Sequence, residues 1–238
     1  MSGTRQGFSL IEALLGLCLT LGILVSSLGF LNVGRKVFFK LKTAEEERLS
    51  VLAALEKIRI DVGRAGLGLV DPVRWGILTG LAGSGSVLTV ESLERRLTLA
   101  SDVAAGASRI ECSGTEDLAA NRTVCIFDDE KGEVGILAGS GRGFIALESP
   151  VRNTYLREEC RVAVVASARY SLQGGTLRRQ ANNSSAQPLL DDVEAWEAEP
   201  GVAPGPPVIS IRIRLKGKER VYGLSILSKN IALSAAGR

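Results

Sequence analysis

The sequence predicts an α+β protein in which a long amino-terminal helix, membrane-spanning in its first half, packs on an antiparallel β-sheet domain. Three observations predict it. Residues 8–33 form an apolar run with a single charge, a helical apolar stripe continues to about residue 68 without a proline, and short β-type runs separated by Gly, Ser and Asn begin at about residue 76. The chain has 238 residues, with 29 Lys and Arg against 26 Asp and Glu, and the resulting net charge of +3 is scattered. No concentrated basic footprint of the kind nucleic acid demands is present. There are 0 histidines, which removes Ser-His and Cys-His nucleophile pairs, His-ligated zinc and the commonest general base. With no CxxC pair either, the sequence points to no cofactor, no metal centre and no enzyme.

The first element is a polar leader, residues 1–7, which ends in Gly7 directly before the apolar run. Residues 8–34 then form the hydrophobic helix. The 26 residues of its apolar run (8–33) cover about 39 Å as a helix, enough to cross a hydrocarbon layer about 30 Å thick with some tilt. A secretory signal would place its cleavage site after that run, where Val25-Ser26-Ser27 is a small-residue candidate. Glu12 stands inside the run, where an isolated carboxylate costs on the order of 2.5 to 3.5 kcal/mol, so it requires a cationic partner. Arg5 precedes the span while Arg35, Lys36, Lys40 and Lys42 follow it, and a count of these flanking cations would leave the carboxyl-terminal part in the cytoplasm.

Residues 35–68 continue the helix beyond the membrane. Val37, Leu41, Ala44, Arg48, Leu52, Leu55, Ile58 and Val62 recur at three or four residues, and Glu45, Glu46, Glu47, Glu56, Lys57 and Arg59 fill the other face. One helix of about 57 residues, about 85 Å long, would end near the glycines between Gly63 and Gly68. A coiled-coil dimer is the alternative use of this pattern, although the stripe is short for one.

Residues 69–238 read as a β-rich head. Candidate strands are 87–90, 95–99, 108–112, 123–127 and 143–147. Residues 162–172 and 176–179 flank Gln173-Gly174-Gly175, a hairpin turn. Ile209, Ile211, Ile213 and Leu215 alternate with Ser210, Arg212, Arg214 and Lys216, and residues 222–227 return as the partner strand. Arg212 and Arg214 therefore belong to a wet, basic face. Residues 199–207, rich in Pro and Gly, read as an exposed loop. Asp191, Asp192 and Glu194 lack the spacing of a calcium loop and read as turn and cap chemistry. Asp128-Asp129-Glu130 before Lys131-Gly132 reads as a turn rather than a carboxylate active site.

Cys18 lies in the span, leaving Cys112, Cys125 and Cys160 outside it. A disulfide between Cys112 and Cys125, on adjacent candidate strands, would stabilise by about 3 kcal/mol through loop closure. Buried free thiols are the alternative.

Gly7-Phe8-Ser9-Leu10-Ile11-Glu12-Ala13-Leu14 resembles the class III signal of type IV prepilins and type II secretion pseudopilins. The resemblance implies that prepilin peptidase cuts after Gly7, that Phe8 becomes the N-methylated first residue, and that Glu12 neutralises the amine of a neighbouring Phe8 and sets the assembly register. Leu55 to Gly68, containing Asp61, Arg64, Ala65 and Gly66, is similar to the D-x-x-R-A-G element of PilW-like minor pilins and J-type pseudopilins. Tyr170-Ser171-Leu172, Gly175 to Arg179, Leu189 to Val193 and the alternating strand follow the same family order. The resemblance implies a pilin fold and a place in the initiating tip complex of a type IV pilus. A J-type subunit of a type II secretion system and a DNA-uptake or adhesive minor pilin are the alternatives. It also implies a single span of the bacterial inner membrane, with leader cytoplasmic and head periplasmic. The implied partners are prepilin peptidase, other minor and major pilins or pseudopilins, the inner-membrane assembly platform and the lipid bilayer.

Overall fold

The structure is a computed structural model that describes residues 10–201 and 207–236. The leader, with Gly7, and Phe8 lie outside the described residues. The chain divides into two compact units, Met1–Ser50 and Val51–Arg238.

The described part of the first unit is entirely helical and belongs to α1 (Leu10–Gly63). Every residue of it from 10 to 50 is exposed except partly buried Glu47. Apolar side chains face outward around the whole circumference, with Phe30 80% and Leu21 61% exposed. Such a surface is stable only against lipid or other protein, and its length and composition suit a membrane span.

In the second unit the end of α1 buries Val51, Ala54, Leu55, Ile58 and Val62. These positions follow the i, i+3, i+4, i+7 rule of one helix face. Of the expected stripe, Val37, Leu41, Ala44 and Arg48 precede this unit and are exposed, and within it Leu52 is 47% exposed, because Val51 and Ala54 occupy the face that meets the sheets. A short α2 (Val70–Arg74) follows, and then, among the described residues, twelve strands and a third helix. The strands are β1 (Leu81–Ser84), β2 (Val87–Leu99), β3 (Arg109–Ser113), β4 (Thr123–Phe127), β5 (Gly132–Gly141) and β6 (Phe144–Leu147). β7 (Arg161–Gln173), β8 (Thr176–Ala181), β9 (Gln187–Leu190), β10 (Val193–Pro200), β11 (Val208–Leu215) and β12 (Val221–Leu227) precede α3 (Lys229–Ala236). The protein is therefore α+β with antiparallel pairing.

Among the described residues the strands form two sheets. Nine run in the order β1-β2-β3-β6-β5-β4-β7-β8-β9, and β2 also pairs with β7, so that β2, β3, β6, β5, β4 and β7 close a six-stranded ring. Closure follows from the length of β2: its first part pairs with β7, while Thr98 and Leu99 at its end pair with Ser113 and Cys112 of β3. Irregularities at Leu93/Arg95 and Leu137/Gly139 add the local twist that a closed sheet needs. Leu97, Ile110, Val124, Ile126, Leu137, Ile145, Val162 and Val164 fill the ring. The opposite faces of β4 and β7 carry Cys125, Phe127, Ala163 and Val165 against Leu69, Val73 and Leu78. Both faces being covered, β4 reads TVCIF with no polar alternation.

The other ends of β2 and β7 leave the ring and join a second core. There Leu88, Val90, Ala168 and Tyr170 meet the α1 stripe together with Trp196, Ile209, Ile211 and Ile213. The last four belong to a separate sheet, β10-β11-β12. The sequence split β2 into two strands and passed over β1, β5, β9, β10, α2 and α3. β5 carries four glycines and so lacks the pattern of a strand. Glu199 and Pro200, expected in the loop 199–207, instead end β10, which is held by its register with β11, Trp196 opposite Ile213 and Ala198 opposite Ile211.

Candidate functional site

Glu12 lies in the first described turn of α1 and is exposed. Its neighbours on the helix are apolar, and among the described residues no cation pairs with it. Thr20, further along, satisfies its own hydroxyl by donating to the carbonyls of Gly16 and Leu17, both at 2.9 Å, so it adds no unsatisfied polarity to the span. The Glu12 carboxylate is thus the single charge on a surface that otherwise fits hydrocarbon from residue 10 to 34.

The second polar centre is built from the end of α1 and the β7–β8 hairpin. Tyr170 and Arg179 are directly opposite one another in the ladder. Asp61 Oδ2 accepts a 2.6 Å hydrogen bond from Tyr170 Oη and a 2.7 Å bond from Arg179 Nε. Lys57 Nζ, one helical turn earlier, lies 3.6 Å from Asp61 Oδ1. Burial pushes the Asp61 carboxyl up, but the bonds from Tyr170 and Arg179 and the charges of Arg179 and Lys57 outweigh it and hold the group below the usual carboxylate range. Burial, with the Asp61 charge beside it, raises the Tyr170 phenol. This arrangement is a fixed, charge-satisfied clamp and offers no free base or nucleophile. All three residues belong to the family-like elements, and no spacing in the sequence joins them; a carboxylate on the buried stripe at Ile58, Asp61 and Val62 is the available signal.

The rest of the D-x-x-R-A-G element ends the helix. Ala65 is fully buried, and its carbonyl accepts from Ser228 Oγ at 3.4 Å and Asn230 Nδ2 at 3.2 Å. Gly66 has φ +70° and donates its N–H to the Glu91 carbonyl at 2.8 Å. A Cβ there would meet Ile231 Cδ1 of α3 at 2.7 Å. Glycine is required twice over, by backbone and by space.

The remaining candidates separate. Asp191 Oδ1 accepts the Thr176 hydroxyl at 2.9 Å, Asp192 adopts φ +55°, and Glu194 pairs with Arg214 at 3.3 Å. Asp128 Oδ1 accepts the N–H groups of Glu130 and Lys131 at 2.9 and 2.8 Å, an Asx turn. Arg212 lies 3.6 Å from Glu197 across the strand pair, so the basic face of β11 is matched by acids of β10.

The Cys112–Cys125 pairing is corrected. All four cysteines are free. β3 and β4 are not adjacent, being separated by β6 and β5. Cys112 points into the ring while Cys125 points to its outer face, so the two sulfurs lie on opposite sides of the sheet. Burial raises their thiols to about 11 and about 12 respectively. Cys160 packs against the ring interior and is likewise raised, to about 12.

No family model matches the chain, and no curated protein matches it. Two solved structures show local likeness. One is the Gp54 tailspike of Acinetobacter baumannii bacteriophage AP22 in complex with A. baumannii capsular saccharide, at 15% identity and TM-score 0.28, over 32% of this chain and 15% of that one. The other is the tailspike protein gp49 from Pseudomonas phage LKA1, at 18% identity and TM-score 0.26, over 35% of this chain and 15% of that one. Likeness at that level carries no argument about fold or activity.

Proposed function

We propose that the chain is a structural minor pilin or pseudopilin, processed by prepilin peptidase after Gly7 and assembled through its amino-terminal helix into the initiating tip complex of a type IV pilus. The observation that carries this reading is Glu12: a lone carboxylate on a fully exposed apolar helix, five residues after Gly7 and four after Phe8. Cleavage there creates an ammonium on Phe8, and a neighbouring subunit displaced by about one turn brings that charge to the carboxylate. Burying the pair then costs far less than burying either alone, so the expense of isolation selects the assembled register.

The second unit is consistent with a pilin head, since the carboxyl-terminal stripe of α1 is covered by antiparallel strands. Its closed ring elaborates on that plan. The alternatives keep the same processing: a J-type subunit of a type II secretion system, or an adhesive or DNA-uptake minor pilin. The DNA alternative is weakened by the acids facing Arg212 and Arg214.

Substitution in the native host tests the reading. Gly7→Ala is expected to leave a full-length, membrane-retained precursor. Glu12→Ala is expected to be cleaved normally and to fail in assembly; normal filament initiation by that variant would refute the register role.

A further inference from the structure

Between Glu12 and Glu45 the charged side chains are Arg35, Lys36, Lys40 and Lys42, all cationic and all exposed. Lys42 Nζ approaches Glu46 at 3.8 Å, and among the described residues the other three form no ion pair. At 1.5 Å per residue, Arg35 stands about 34 Å along the axis from Glu12. That distance matches a hydrocarbon core of about 30 Å plus the approach to the phosphate layer. With Glu12 about one turn inside one boundary and an ordinary tilt of about 20°, Arg35 and Lys36 arrive at the phosphates of the other leaflet, and Lys40 and Lys42 stand at its outer edge.

The rings agree with this depth. Phe30 lies just inside, and Phe38 and Phe39 make an edge-to-face pair at 5.9 Å within the cationic segment, 63% and 54% exposed. Around the helix the cations fall on two sides, Arg35 with Lys42 and Lys36 with Lys40, the sides about 130° apart. A protein partner would meet one side; lipid headgroups surround all of them.

We propose that residues 35–42 form a headgroup collar that binds the phosphates of anionic phospholipids and fixes the depth of the helix. The inference rests on the reading of residues 8–34 as a membrane span. It also accounts for cations on the side that the family resemblance places outside the cytoplasm: they engage lipid in their own leaflet.

The test uses the full chain reconstituted in mixed phosphatidylcholine and phosphatidylglycerol bilayers, with each lipid spin-labelled in turn. Motionally restricted phosphatidylcholine reports the span; its ratio to restricted phosphatidylglycerol reports the collar. The expected preference for phosphatidylglycerol is about five-fold or more, the factor for one such cation. It should fall toward unity in the R35Q/K36Q/K40Q/K42Q variant with restricted phosphatidylcholine unchanged. In the unsubstituted protein it should fall at about 1 M salt, where screening acts within about 3 Å. Equal association of the two lipids overturns the collar and leaves the span standing, and so does a preference that survives the four substitutions. Absence of restricted lipid of either kind overturns the span and the collar together.

Discussion

Tyr170 Oη donates a 2.6 Å hydrogen bond to Asp61, joining the end of α1 to β7 across 109 residues of sequence. Arg179, opposite Tyr170 in the ladder, completes the clamp. Removing the Asp61 carboxylate leaves a partly buried guanidinium without its anion. Asp61→Ala is therefore expected to destabilise by about 3 to 5 kcal/mol, the range for breaking one side of a buried pair. Tyr170→Phe, which removes one bond to a charged acceptor, should cost about 1.5 to 3 kcal/mol. Denaturant unfolding of both variants and the double variant checks this, with strong non-additivity expected because both changes strike one network.

The same clamp sets an acid limit. The folded pKa of Asp61 lies below its unfolded value. Its contribution is therefore complete above the unfolded pKa of about 4 and is lost as pH falls through the lower folded value. The stability difference between wild type and Asp61→Asn should be constant from neutral pH to about pH 5 and shrink below about pH 4. A difference that stays constant to strongly acidic pH would contradict the ionised clamp.

Two glycines three residues apart should respond oppositely to alanine. Gly63, at the end of α1, has open space where a Cβ would stand, so Gly63→Ala should be neutral or stabilising by up to about 1 kcal/mol. Gly66 combines φ +70° with Ile231 at 2.7 Å from the added atom. Gly66→Ala is expected to cost at least about 1 to 2 kcal/mol, read from thermal or denaturant unfolding.

The thiols of the second unit give a chemical check. With Cys112, Cys125 and Cys160 held at about 11, 12 and 12 by burial, a thiol reagent at neutral pH should modify them slowly in the folded protein and completely in denaturant. Masses before and after reduction should be identical. A mass lower by two hydrogens that reductant restores would reinstate the disulfide.

The legible parts of this fold were those with a one-dimensional signature. The uncharged span, the stripe at Leu55, Ile58 and Val62, and the period-two strand through Ile209 and Ile213 announce themselves by spacing. β4 was legible as a strand, yet its two buried faces were not, because covering the outer face depends on Leu69, Val73 and Leu78 arriving from α2 and its flanks. β5 and β10 were lost for the complementary reason: their local composition favours loops, and cross-strand pairing overrides it. The disulfide expectation failed because sequence proximity of two strands says nothing of the strands that insert between them. Of the candidate site residues, Glu12 stood out by its surroundings, whereas the Asp61 clamp required three distant segments to be seen together.

The central claim is enzymatic removal of the leader to expose a methylated phenylalanine amine. Intact mass spectrometry of the protein isolated from its native membrane tests it directly. The expected result is a chain that begins at Phe8 and carries one added methyl group; a chain that begins at Met1, or one trimmed near Leu28 after the apolar run, would contradict it.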